Sequence, residues 1–144
     1  MATRRPRLVG INHVALEVDD LERALAFWRQ LFDIEADTSE PGAAFIDLGD
    51  QFIALMEPGA GEYERHFGLV VDDKDATRRA LVAAGAELLP GRRLDARDPF
   101  GNRIQVVQYD QIQFTKAAAV LSAMRLELDK TPQALAELRA KGIS

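Results

Sequence analysis

HVALEVDD at residues 13–20 returns as HFGLVVDD at residues 66–73, with the histidine, the leucine, the valine and both aspartates at the same spacing. Chance does not explain such a match, and the surrounding residues say what is being used twice. Along a strand, side chains alternate between two faces. In the first copy Ile11, His13, Ala15 and Glu17 therefore share one face, and Asn12, Val14, Leu16 and Val18 share the other. The second copy divides into Glu64, His66, Gly68 and Val70 against Phe67, Leu69 and Val71. The more apolar sets are expected to be the packed sides, which puts both histidines on the faces that look into a shared hollow.

The segment after each strand is repeated as well. Asp19 with Glu22, and Asp72 with Asp75, have the spacing of a capping-box-like helix start, where side-chain oxygens accept from unpaired backbone N–H groups. The first expected helix, residues 20–32, carries Ala24, Leu25, Trp28, Leu31 and Phe32 as one apolar stripe. The second, residues 74–84, stops at Gly85, a natural residue for a left-handed turn. Strand candidates come next at 43–49 and 51–57, then in ELLPG, RRLDAR and NRIQVVQY, with tight turns at LGDQ and DPFGN. Each half thus reads β-α-β-β-β, an α+β chain of two modules at residues 7–58 and 62–110, preceded by a basic arm at 1–6.

The composition sets outer limits. With 144 residues, 47% hydrophobic, the chain suits one compact domain. A net charge of −5 argues against nucleic acid as partner, the short arm of Arg4, Arg5 and Arg7 being the one counter-signal. The absence of cysteine excludes a disulfide framework, a thiolate metal site and a cysteine nucleophile. No apolar run approaches the ~20 residues that span a bilayer and no signal-peptide core is visible, so no membrane partner and a cytoplasmic location are expected.

The order H-x-x-L-x-V-D-D, amphipathic helix, paired short strands, the same motif again and finally DPFGNRIQVV resembles the vicinal oxygen chelate superfamily. That group includes glyoxalase I, fosfomycin-resistance proteins, extradiol dioxygenases and bleomycin-resistance proteins. The resemblance covers roughly residues 7–110. It implies that the two modules pair and curl their strands into an open, barrel-like sheet around a cleft. It also implies metal ligands on the first and last strand of each module, which fall on His13, His66, Ala54 and Gln105. The family usually has carboxylates at the last two positions, so this sequence departs at both.

The departure bears on the chemistry. Alanine ligates nothing, which leaves His13, His66 and Gln105 as a three-donor set without negative charge. Nitrogen and oxygen donors suit zinc, iron, nickel or manganese, with positions open for water or substrate oxygens. Gln105 cannot move a proton, so another group is needed as base. Glu17 shares a face with His13 but lies ~13 Å along the strand, and Glu57 has the wrong parity relative to Ala54. Asp47 and Tyr109 are the candidate catalytic groups. Ala15, Phe52, Ala54, Met56, Gly68 and Val107 are expected to line the cleft. Two readings result: a glyoxalase-like enzyme performing metal-assisted lyase or isomerase chemistry on an oxygen-bearing small molecule, or a metal-free binding protein of the bleomycin-resistance type, with a scaffold role for a protein partner ranking third. A homodimer is expected in either case.

Residues 114–144 lie outside the repeat. Thr115 is expected to cap a helix carrying Val120, Leu121, Met124 and Leu128, and Thr131 before Pro132 to start another that closes at Gly142. Their apolar stripes need a surface: the back of the domain, a second subunit, or one end of the cleft.

Overall fold

The computed structural model describes residues 4–60 and 63–144. Residues 1–3 of the basic arm and Glu62 at the expected start of the second module lie outside the described residues. The strands are β1 (Leu8–Glu17), β2 (Ala36–Asp37), β3 (Ala43–Asp47), β4 (Phe52–Met56), β5 (His66–Val71), β6 (Glu87–Leu88), β7 (Leu94–Arg97) and β8 (Arg103–Gln108). They form one open eight-stranded sheet in the order β2-β3-β4-β1-β5-β8-β7-β6. The order shows the repeat directly. β1 and β5 run antiparallel at the centre, each flanked by the last strand of its own half in parallel, β4 beside β1 and β8 beside β5.

Helices α1 (Leu21–Leu31) and α2 (Lys74–Ala83) cover the convex side of the two halves. Their N-caps are the second aspartate of each pair, one residue later than expected. Asp20 accepts from the Arg23 backbone N–H at 3.1 Å and Asp73 from that of Ala76 at 2.9 Å. Leu25 of α1 packs with Ala44, Ile46 and Leu55, while Leu81 of α2 packs against Val71, Leu94 and Val106. Each helix thus sits over the outer strands of its half, and the outer face of β1 runs between them.

That position corrects the expected packed side. Val14 is 41% exposed and Leu16 37%, whereas His13 and Ala15 are buried; only Val18, beyond the strand end, joins the α1 cluster. The curl of the sheet crowds the concave face, so the side with the histidines is the more enclosed one. Strict alternation also fails, at two register shifts, the first between Leu8 and Gly10. The pairing of β1 with β5 shifts register again between Ile11 and His13, and this bulge buries both Asn12 and His13.

After β8 the chain makes a 3-10 turn (Tyr109–Gln111), then α3 (Ala118–Ala123) and α4 (Pro132–Ala140). Thr115 does not cap α3, whose N-cap is Ala117; its N–H and hydroxyl both donate to Asp50 Oδ2, at 2.8 and 2.9 Å. Thr131 does cap α4, accepting from the Ala134 N–H at 3.2 Å. Phe114, Leu126 and Tyr109 bury against Val9 and Val70 at one end of the central strands. The segment 111–114 is thereby strapped across that end, and Lys130 pins it by donating to the carbonyls of Tyr109, Ile112 and Phe114. No helix of the described residues is long and apolar enough to cross a membrane.

Candidate functional site

The pairing of β1 with β5 sets Ala15 opposite His66 and His13 opposite Gly68, which makes the two histidines diagonal neighbours on the concave face. Their rings meet edge to face with centroids 5.4 Å apart, and His13 also stacks on Phe52 at 4.6 Å. Both are 6% exposed and Gln105 only 3%, so this is a buried floor rather than a surface cluster.

Each imidazole is fixed by a partner at Nδ1. His66 Nδ1 lies 2.8 Å from the Glu64 carbonyl, which can only accept; neutral His66 therefore carries its proton on Nδ1 and presents a lone pair at Nε2. His13 Nδ1 lies 2.8 Å from Asn12 Oδ1, and with the amide so oriented the same tautomer results. Gly68 makes room for that pair, since a Cβ there would fall 2.1 Å from Asn12 Oδ1 and 2.2 Å from His13 Nδ1. Burial lowers the His13 pKa to about 4; the neighbouring His66 and Arg93 act in the same sense, while Asp95 and the Gln105 side chain oppose them. His13 is thus neutral near pH 7.

Asp95 is a carboxylate to which no sequence motif points. It lies on β7 directly opposite Gln105 and is 4% exposed. Gln105 Nε2 donates to Asp95 Oδ1 at 3.5 Å, and Arg103 donates to Asp95 Oδ2 through Nε at 3.0 Å and an Nη at 2.6 Å. Arg103 approaches Glu64 at 3.7 Å, and Glu64 in turn takes a bidentate pair from Arg97 at 2.5 and 2.8 Å. A run of alternating charges therefore leads from the surface to Gln105, which also hydrogen-bonds His13.

Beside His13 and Gln105 lie two adjoining cavities that share Asn12, Phe52, Gln111 and Ile112 as the arms of one bent cleft, about 660 Å³ in the larger and 320 Å³ in the smaller; His66 and Gly68 line neither arm. His13, Gln105 and Val107 line the smaller arm, Asp47 and Phe45 the larger, and Phe52 both. Ala15, Ala54 and Met56 are placed differently from their expected role. They are buried in a cluster packed by Ala60 and Tyr63, which fills that end of the concave face. Tyr109 is removed from the cleft altogether, because the chain turns out of the strand after Gln108; the ring sits in the Val9–Val70 cluster and its hydroxyl takes the Lys116 N–H at 3.4 Å. Asp47 stands on the exposed rim and accepts from the Gly49 N–H at 2.7 Å. Glu17 is tied to Arg65, and Glu57 caps α1 through the Leu21 N–H at 2.9 Å.

A divalent ion would meet two imidazoles, each engaged at Nδ1, and one amide. Among the described residues no group of three His, Cys, Asp or Glu side chains converges. The donor types nevertheless fit such an ion as a neutral nitrogen and oxygen set, the nearest negative charge standing behind Gln105 on Asp95.

Comparison with known proteins agrees with this architecture. Metallothiol transferase FosB of Shouchella clausii is 26% identical over 114 residues, covering 67% of this chain and 78% of that protein. Cadmium-induced protein CadI of Mycobacterium tuberculosis is 38% identical over 72 residues, and the match spans only 47% of its length. The Mn(II)-bound glyoxalase from Novosphingobium aromaticivorans superposes with a TM-score of 0.56 at 19% identity, over 72% of this chain and 40% of that one. A methylmalonyl-CoA epimerase superposes with a TM-score of 0.53 at 19% identity, over 74% of this chain and 98% of that one; at such identities the likeness concerns the fold. The family model of the glyoxalase-like domain matches residues 13–107, from the first floor histidine to the cleft wall of β8, and the chain belongs to that family, within the vicinal oxygen chelate superfamily.

Proposed function

We propose that the chain is a small-molecule enzyme in which His13, His66 and Gln105 hold a divalent ion on the floor of the cleft, for lyase or isomerase chemistry on an oxygen-bearing substrate. The observation that carries this reading is the meeting of two buried imidazoles, 5.4 Å apart, each with Nδ1 2.8 Å from a fixed oxygen, that of the Asn12 side chain or the Glu64 carbonyl. When bound, such an ion supplies Lewis-acid polarisation of a substrate oxygen. The rest falls to this chain's own side chains. Asn12 and the Glu64 carbonyl orient the imidazoles, Phe52 stacks His13 in place, and Asp95 orients Gln105. Proton transfer cannot use Gln105, and Tyr109 is out of reach, so Asp47 on the cleft rim is the carboxylate assigned as base. The names of two relatives, a metallothiol transferase and a Mn(II)-bound glyoxalase, support the metal reading by similarity.

Metal analysis of purified wild type beside a His13→Ala/His66→Ala variant tests it. Stoichiometric divalent ion in the wild type, lost in the variant, is the expected result. Equal metal in the two proteins would leave the second reading, a metal-free small-molecule binder, which the absence of a carboxylate at Ala54 and Gln105 favours. The expected homodimer has a surface to match: Leu8, Ile11, Val14 and Leu16 form an exposed apolar row on the outer side of β1, with neither helix over it.

A further inference from the structure

The two arms of the cleft carry opposite charge. The smaller arm is lined by Lys74, Arg92 and Arg93 with no carboxylate among its lining residues, and its polar floor is His13 and Gln105, each more than nine-tenths buried. The larger arm is lined by Glu35, Asp37, Asp47, Asp50 and Glu137, against the single cation Lys141. Most of these groups already take part in the fold: Asp50 takes both donors of Thr115, Asp37 and Asp47 each accept a backbone N–H on one oxygen, from Ser39 at 2.9 Å and Gly49 at 2.7 Å, Glu137 accepts from the Gln113 and Gln133 amides, and Lys141 donates to the Gly49 carbonyl at 3.2 Å. Glu35, Asp37 and Asp47 remain together on the rim, since the Asp47 N–H donates to the Glu35 carbonyl at 2.9 Å and Asp37 pairs with Phe45 on the next strand. Asn12, Phe52, Gln111 and Ile112 stand where the arms join.

A cleft whose ends differ in sign selects ligands by the order of their charges. We propose that the ligand of this site is charge-separated, with one anionic head seated among Lys74, Arg92 and Arg93 and a protonated amine at the other end, in the acid-lined arm. Guanidinium groups hold a planar or tetrahedral anion by charge-assisted hydrogen bonds. The acid-lined arm refuses a second anion by like-charge repulsion. The inference rests on the cleft being the ligand site; it does not depend on whether an ion occupies the floor.

Three chains of equal length separate the possibilities: δ-aminovalerate with one amine and one carboxylate, glutarate with two carboxylates, and cadaverine with two amines. Each is titrated into isotope-labelled protein, with chelator and with added manganese, while amide and side-chain signals of the cleft residues are followed by NMR. δ-Aminovalerate is expected to bind about tenfold more tightly than either of the others, which corresponds to about 1.4 kcal/mol. Arg92→Gln/Arg93→Gln removes that advantage over cadaverine, and Asp47→Asn with Glu35→Gln removes it over glutarate. His66 lines neither arm, so a His66→Ala variant is expected to keep the ranking even where it loses metal, and failure of the metal reading and failure of this one are told apart. Glutarate binding as tightly as δ-aminovalerate, an unchanged ranking in the arginine variant, or no response at the cleft to any of the three overturns the proposal.

Discussion

Gly68→Ala asks whether the floor of the cleft is as tightly built as its geometry states. The glycine stands opposite His13 across the central strand pair, and its backbone is not in the left-handed region, so contact alone decides the cost. An added Cβ would lie 2.1 Å from Asn12 Oδ1, 2.2 Å from His13 Nδ1 and 2.3 Å from His13 Cε1. None of these is the loose end of a long side chain; all three belong to the pair joined at 2.8 Å. Overpacking of this kind costs about 1–3 kcal/mol and the displaced hydrogen bond about 1 more, so a loss of about 2–4 kcal/mol is expected. Urea denaturation gives the stability, and imidazole nitrogen shifts report whether His13 still holds its proton on Nδ1. Removing the ring should make room for the methyl group, so Gly68→Ala/His13→Ala is expected to be more stable than the sum of its single changes. A Gly68→Ala protein within about 0.5 kcal/mol of wild type, with unaltered His13 shifts, would refute the reasoning.

Three other outcomes rest on the same contacts. In chelator-treated protein the unfolded chain takes up a proton at His13 below 6.5, while the folded state resists until about 4; stability is therefore complete above the unfolded value and declines as pH falls between the two, by at most about 3 kcal/mol. His13→Asn should flatten that part of the pH–stability curve, and an unchanged slope would count against the buried neutral ring. Lys130→Met deprives the carbonyls of Tyr109, Ile112 and Phe114 of their shared ammonium, and is expected to cost about 2–4 kcal/mol and to speed hydrogen exchange in the strap, with unaltered exchange refuting the pinning role. If the chain forms the proposed homodimer, Leu16→Asp is expected to leave the monomer folded, because the side chain is 37% exposed, but to abolish the dimer that wild type shows in analytical ultracentrifugation; a variant that still sediments as a dimer, or a monomeric wild type, would exclude that face.

The repeat announces the architecture because its signals are local. Each aspartate pair starts a helix, each alternating run makes a strand, and the twin histidines mark equivalent strands, all within a few residues of chain. The edge strand β2, two residues long, carries too little pattern to be located, whereas the equally short β6 falls within ELLPG. The buried face of β1 is illegible for a different reason. Apolar content points to Val14 and Leu16, but burial is decided by where α1 and α2 come to rest, and that depends on packing between distant segments. Alternation sets Asn12 away from His13 only where no bulge intervenes, and no residue between Ile11 and His13 announces one. Tyr109 has the parity of Gln105 in the sequence, yet the strand ends at Gln108 and the ring leaves the cleft. Asp95 lies hidden in RRLDAR, since nothing local says that it will stand opposite Gln105. Nor does anything local say that Arg92 and Arg93, in the same strand candidate, will line a cavity.

Position 105 carries a neutral amide, and the carboxylate beside it, Asp95, stands one strand away. A carboxylate at a ligating position would lend its charge directly to an ion. Asp95 instead faces Arg103 at 2.6 Å, with side-chain exposures of 5% and 15%, so much of its charge is answered before it reaches Gln105. The balance felt by His13 shows the result: burial, His66 and Arg93 together outweigh Asp95 and Gln105. Burial, the largest of these, penalises charge of either sign, so the floor accepts an ion only with its compensating charge close at hand. On the proposed reading, an ion held there by three neutral donors must find its compensating charge in the oxygens of its ligand. Lys74, Arg92 and Arg93 deliver an anionic head to the arm where His13 and Gln105 lie. Ion and anion would then each make the other's binding more favourable, and a weak metal site would be a consequence of a charge-selective one.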